Sequence, residues 1–288
     1  MADSLLEVED LKIAFRSALR THQAVRGVSF SVGREKVGIV GESGSGKSLT
    51  GRSILKLTPK AAAVTATRLA FDGIDLMAAS ERQMRTIRGN RISMILQDPK
   101  FSLNPLMRIG HQITEAYQLH HRANRSAARQ KALDMLQAVK IRDPDRVFQL
   151  LPHEVSGGMG QRIMIAMMLI PEPDLIIADE PTSALDVTVR RQVLSILDEL
   201  VSRRGAGLMF ISHDLNLVAD FCDRVLVMYA GRIMEDIPAR DLRNARHPYT
   251  RALLDSLPRL DHPVETLVVP VRDPAWLDGP TITSGAAP

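Results

Sequence analysis

Three short apolar runs, separated by polar turns, fill the first forty residues: "LLEVEDLKIAF" (5–15), "QAVRGVSFSV" (23–32) and "KVGIV" (36–40). Each predicts a β-strand, with "VGRE" as the turn before the third. From Gly46 to about Leu57 the spacing becomes helical. Pro59 and "AAAVTA" then mark a break, and "RLAFDGIDL" returns to a strand that turns at Asp72-Gly73. "RISMILQ" (91–97) predicts another strand, and "DPKFSLNPLMRIG" after it, with Pro99 and Pro105, predicts a loop.

Helical spacing dominates from about 107 to 150. In "RSAARQKALDMLQAVKI", Ser126 is the expected cap, and Leu133, Leu136 and Val139 share one face. The remaining pattern alternates: "QRIMIAMMLI" helix, "DLIIADE" strand, "TVRRQVLSILDELVSRR" helix, "GLMFISH" strand, "LNLVADFC" helix. "RVLVMYAGRIME" predicts a hairpin turning at Ala230-Gly231. Apolar strands alternating with helices predict an α/β fold whose sheet is mostly parallel and covered on both faces. The helical stretch reads as an insertion of about 99–160. Beyond about residue 259 the proline-rich "RLDHPVETLVVPVRDPAWLDGPTITSGAAP" predicts an extended or partly disordered tail.

Composition narrows the picture only at the edges. A net charge of +4, with both signs interspersed, lacks the basic block expected of a nucleic-acid binder. The longest apolar run, "IMIAMMLI" (163–170), is far short of the ~20 residues of a membrane-spanning helix. The acidic start "MADSLLEVEDLK" lacks the features of a signal peptide. Cys222 is the single cysteine, so neither a disulfide nor a cysteine-built metal site is available, and it reads as a small buried hydrophobe. A cytoplasmic protein is expected.

Chemistry concentrates in "IVGESGSGKSLTGRSIL" (39–55). Gly41, Gly46, Lys47 and Ser48 fit G-x-x-x-x-G-K-[ST] between a strand and a helix. In that context successive backbone amides cradle phosphate oxygens, where side chains would block the approach. The helix start adds its partial positive charge. Lys47 then reaches the β- and γ-phosphates and the Ser48 hydroxyl binds Mg²⁺. The whole loop, Gly41, Glu42, Ser43, Gly44, Ser45, Gly46, Lys47, Ser48 and Leu49, is the candidate nucleotide site. "DLIIADE" ends in Asp179 and Glu180, carboxylates placed where a strand end can face a metal. With the loop, they indicate nucleotide binding.

A third element, "HEVSGGMGQR" (153–162), could by itself be only a turn and a helix cap. The order of loop, Gln97, "SGGM", "LIIADE", "SALD" (183–186) and His213 resembles the ATP-binding cassette ATPases of ABC transporters, over about residues 5–258. The resemblance implies a P-loop NTPase fold with an N-terminal antiparallel β subdomain and a helical insertion. It also assigns roles. Phe15 would stack on adenine, although a core position on a strand explains it equally. Gln97 would touch Mg²⁺ and the attacking water. Ser156, Gly157 and Gly158 would cap the γ-phosphate of ATP held by a second subunit. Asp179 would position Mg²⁺, Glu180 would polarise the water, Asp186 would link the two sites, and His213 would hold the γ-phosphate.

Within that family, "ISMILQDPKFSLNP", "ADEPTSALDVTV" and "HPYTRALLDSLP" look like the ATPase subunits of oligopeptide, dipeptide and nickel importers. The implied partners are a second ABC ATPase in a heterodimer or homodimer, two membrane permease subunits, and indirectly a solute-binding protein, with no nucleic acid. The implied location is the cytoplasmic face of the cell membrane. An accessory ATPase of a soluble complex of the carbon–phosphorus lyase type is the alternative. The sequence departs from the family pattern at a turn one residue short before Glu35 and at Gly160, where arginine is common. His120 and His121 are expected to be solvated surface residues.

Overall fold

Burial alternates along residues 6–16 as it does along a half-covered strand, and these residues form β1 (Leu6–Arg16). The structure, a computed structural model, describes residues 4–16, 21–183, 185–256, 273–277 and 281–283. The chain divides into two compact units: Met1–Ala78 with Met209–Pro288, and Ala79–Leu208.

The first unit continues with β2 (Thr21–Val32), β3 (Lys36–Val40), α1 (Lys47–Ile54), β4 (Ala62–Thr65), β5 (Arg68–Phe71) and β6 (Ile74–Asp75). β1 pairs antiparallel with β2, β4 and β5, in a register that sets Leu6 opposite Val32 and Ile13 opposite Val25. Those four side chains are fully buried, so one face of this antiparallel sheet is core. The segment "AAAVTA", expected to be a break, contains β4. Val64 and Thr65 favour a strand but the alanines before them do not, and the ladder from Lys12↔Thr65 to Phe15↔Ala62 supplies what the alanines lack.

The second unit holds α2 (Glu81–Ile87), β7 (Ile92–Ile95), α3 (Ile109–Gln118), α4 (Arg125–Ala138), α5 (Pro144–Gln149), α6 (Gly157–Leu169), β8 (Leu175–Asp179) and α7 (Val187–Arg204). β7 and β8 are parallel, and every side chain of both is buried. Asn124, rather than Ser126, caps α4: its Oδ1 accepts the Ala127 N–H at 2.9 Å. Both residue types serve as caps, and the helix begins one residue ahead of the serine. His120 and His121 are not simply solvated. Both are half-buried; His121 stacks on Tyr117 with ring centroids 4.4 Å apart, and its Nε2 lies 3.2 Å from the Pro171 carbonyl. Burial, and then the neighbouring His121, hold His120 below its ordinary pKa.

The chain returns to the first unit through β9 (Gly207–Ile211), then α8 (Leu215–Phe221), β10 (Arg224–Tyr229), β11 (Arg232–Pro238), α9 (Pro248–Asp255) and β12 (Ile282–Thr283). In this unit's second sheet, β10 lies parallel to β3, β11 antiparallel to β10, and β12 parallel to β11. The β10–β11 hairpin turns at Ala230 (φ 45) and Gly231 (φ 83), the left-handed pair that a two-residue hairpin favours. Arg224 clasps the short turn before β3, donating to Glu35 at 2.8 Å and to Asp236 at 2.9 Å. Cys222 is buried beside Gly38, and burial pushes its thiol up to about 12. Most of the tail lies outside the described residues. Of the described part, Ile282–Thr283 form β12, and Trp276 packs against Tyr229 and Tyr249.

Candidate functional site

β3 delivers the glycine-rich loop. Val37 to Val40 are buried, which fixes the strand end, and Gly41 follows at φ 149. A Cβ on Gly41 would lie 2.0 Å from the Met228 carbonyl oxygen, and one on Gly46 (φ 99) would lie 2.7 Å from that of Ala24. At both positions only glycine lets the loop backbone pass its neighbours. Gly46 is also the N-cap of α1 and has no side chain with which to satisfy the first amides of the helix. Those amides suit an anion, and the helix dipole favours one.

Lys47 is buried, and its ammonium is drawn back over the loop. Nζ donates to the carbonyls of Gly41 and Glu42, both at 2.8 Å, and lies 3.4 Å from Ser45 Oγ. Ser48 and Leu49 are half-buried in the first turn of α1, while Ser43 and Gly44 are exposed. Phe15 is half-buried on β1 opposite His22. His213 is exposed just beyond β9, between Ser212 and Asp214, the cap of α8. The first unit therefore carries Phe15, the loop and His213.

The second unit carries the other candidates. Asp179 ends β8 and is buried; Glu180 follows, half-buried, at φ 48. A left-handed glutamate is strained, and such strain concentrates at functional positions. Gln97 is exposed two residues beyond β7. Ser156 is exposed and caps α6, its Oγ accepting the Met159 N–H at 3.4 Å. Gly157 is open, whereas a Cβ on Gly158 would lie 2.7 Å from Val189 Cγ1. The second glycine of "SGGM" thus permits close packing of α6 against the start of α7. Asp186 caps α7, accepting from the amides of Thr188 and Val189, both at 3.0 Å.

Two contributors escaped the sequence reading. Gln161, buried in α6, donates to the Pro181 carbonyl and so ties α6 to the segment after Glu180. A lone amide in the apolar run "QRIMIAMMLI" was the available signal. The other is Tyr249 in α9, fully buried, whose hydroxyl accepts the Glu42 N–H at 3.4 Å. A cleft of about 620 Å³ also lies beside Ser156 and Gly157, bounded by Pro99, Leu103, Pro105, His153 and Gly160. A Cβ on Gly160 would lie 3.6 Å from Pro99 Cγ, in ordinary contact.

A family model described as "ABC transporter" matches residues 25–183. The "Probable peptide ABC transporter ATP-binding protein" of Sinorhizobium fredii is 53% identical over 260 residues, covering 89% of this chain and 78% of that protein. The dipeptide transport ATP-binding protein of Bacillus subtilis is 47% identical over 262 residues, covering 90% and 78%. Among solved structures, a dimeric bacterial ABC transporter cassette superposes with a TM-score of 0.72 at 25% identity, covering 82% of this chain and 99% of that one.

Proposed function

The chain belongs to the ABC transporter family, and we propose that it is the ATP-hydrolysing subunit of an importer for peptides or a related solute such as nickel. The observation that carries this is the loop from Gly41 to Ser48: glycines at the two crowded positions, a glycine as the N-cap of α1, and a buried ammonium held over them. Peptide specificity is supported by relatives at 44–53% identity that are peptide, dipeptide and oligopeptide transport ATP-binding proteins. The carbon–phosphorus lyase alternative finds no support among them.

The side chains suit phosphoryl transfer to water. Lys47, held over the loop, reaches the β- and γ-phosphates and neutralises charge as it develops. Glu180 accepts a hydrogen bond from the attacking water, Gln97 orients that water, and His213 donates to the γ-phosphate. Ser48, Gln97 and Asp179 offer only oxygen donors, the set that Mg²⁺ prefers, and Mg²⁺ so held would screen the β- and γ-phosphates. Phe15 faces the adenine. These assignments follow the family resemblance, residue by residue.

Ser156, Gly157 and the first amides of α6 act on ATP bound by a second cassette, with Asp186 linking the two sites. The working unit is then a dimer, by preference with a sister ATPase, on two membrane subunits at the cytoplasmic face. Among the described residues no helix is long and apolar enough to cross a membrane, and the permeases would provide the passage. The cleft beside Gly160 is our candidate seat for a permease segment.

The reading is tested with Lys47→Ala. ATP binding should weaken at least tenfold and hydrolysis should vanish, both measured on the purified chain and on the assembled transporter. Parental hydrolysis in that variant would refute the phosphate-loop assignment.

A further inference from the structure

Glu42 N and Gly41 O belong to one peptide group, and that group is held from both sides. Its carbonyl accepts the Lys47 ammonium at 2.8 Å, and its N–H donates to the Tyr249 hydroxyl at 3.4 Å. Acceptor and donor on opposite ends of one amide polarise it in the same sense, so each bond strengthens the other. The peptide also sits at the loop's tightest point, where Gly41 passes the Met228 carbonyl.

Tyr249 is itself fixed from several directions. It is 0% exposed, and its ring lies 4.5 Å from that of Tyr229, the residue after Met228. Trp276 meets it edge-on at 5.7 Å. Its backbone N–H donates to His247 Nδ1 at 3.1 Å, which makes His247 the cap of α9. The amides of Arg246 and His247 donate to the buried Glu235 carboxylate at 2.7 and 3.3 Å, anchoring the start of α9 to β11. A phenol held this firmly transmits its position to whatever its hydroxyl touches.

We propose that Tyr249 is a positioning residue for the phosphate loop: it fixes the Gly41–Glu42 peptide, and through it the Lys47 ammonium, and Trp276 in the C-terminal segment braces its ring. The proposal rests on the ATP-binding reading of the loop. It gives "HPYTRALL" a task at the phosphate loop, through the Tyr249 hydroxyl.

Tyr249→Phe tests it, because the ring packing stays and only the hydroxyl goes. ATP affinity of the variant chain, titrated with a fluorescent ATP analogue, should fall about fivefold while its melting temperature in the absence of nucleotide stays near the parent's. Amide exchange in the 38–49 segment should quicken, with β8 unchanged. Trp276→Ala should shift affinity in the same direction, by about twofold. A role in packing alone would lower melting in Trp276→Ala and leave the affinity of Tyr249→Phe untouched; that result overturns the proposal. Unchanged loop exchange in Tyr249→Phe overturns it too, even if that variant is less stable. Lys47→Ala separates the two readings. If it loses ATP while Tyr249→Phe binds like the parent, only the Tyr249 proposal falls; if the parent chain binds no ATP, the loop assignment falls with it.

Discussion

Gly41→Ala should damage the loop more than any other single methyl added to it. The new Cβ would sit 2.0 Å from the Met228 carbonyl oxygen and 3.0 Å from its carbon. Both partners are backbone, so no side chain can swing aside, and the strand end and the loop must part by roughly 1 Å before even a tight contact is reached. The residue must also hold φ 149, outside the range that side chains tolerate. Backbone strain costs about 1–3 kcal/mol and overpacking about 1–3 kcal/mol more. The displacement carries the Gly41 carbonyl, and with it Lys47. A misplacement near 1 Å costs on the order of 100-fold in rate. Gly44→Ala is the control for stability: at φ 82 nothing lies within 4 Å of its Cβ, so only the left-handed backbone cost of about 1–2 kcal/mol applies. Urea unfolding and phosphate release from the assembled transporter report the two effects. If Gly41→Ala unfolds at the same urea concentration as Gly44→Ala and keeps the parental rate, the close approach to β10 does not shape the loop.

Glu180→Gln should bind ATP as the parent does yet hydrolyse it at least 100-fold more slowly, because the amide is a much poorer acceptor for the water's proton; size-exclusion chromatography with the sister ATPase should show a persistent ATP-bound dimer, and parental turnover would remove Glu180 from the chemistry. Gly160→Ala should stabilise the protein by about 1 kcal/mol, since it removes the helical cost of glycine and the methyl meets Pro99 at a comfortable 3.6 Å; a lower urea midpoint would contradict this. Burial holds the His247 imidazole below its ordinary value, against the opposing pull of Glu235. The unfolded chain therefore binds the proton more readily, so this contribution is complete above about pH 6.5 and is lost as pH falls below it. His247→Asn, which can still cap α9, should show a smaller loss of melting temperature than the parent between pH 7.5 and 5.5; an equal loss would place the titration elsewhere.

The strand, glycine-rich loop and helix of residues 36–54 were legible because their pattern is local, all within one short stretch of sequence. β8 was legible for a similar reason, since a strand buried along its length is a continuous apolar run. What stayed hidden depends on distant partners. β4 has no apolar pattern and exists through its pairing with β1. Ser126 and Asn124 are equally good caps on paper, and only the path of the chain selects Asn124. The strained backbone at Glu180 leaves no mark in the sequence. Tyr249 lies 207 residues from Glu42, and no spacing rule reaches so far.

A rate measured in the complete assembly tests most directly whether the site is completed across two subunits. This chain alone should bind ATP and hydrolyse it slowly. Joined by the proposed sister ATPase and membrane subunits it should hydrolyse faster, and Ser156→Arg should return the rate to that of the chain alone while this chain's own ATP affinity stays within about twofold of the parent's. Loss of the cap would cost about 1 kcal/mol, so the variant should remain folded. Full-rate hydrolysis by the isolated monomer, or a Ser156→Arg chain that loses its own ATP, would contradict a site completed across two subunits.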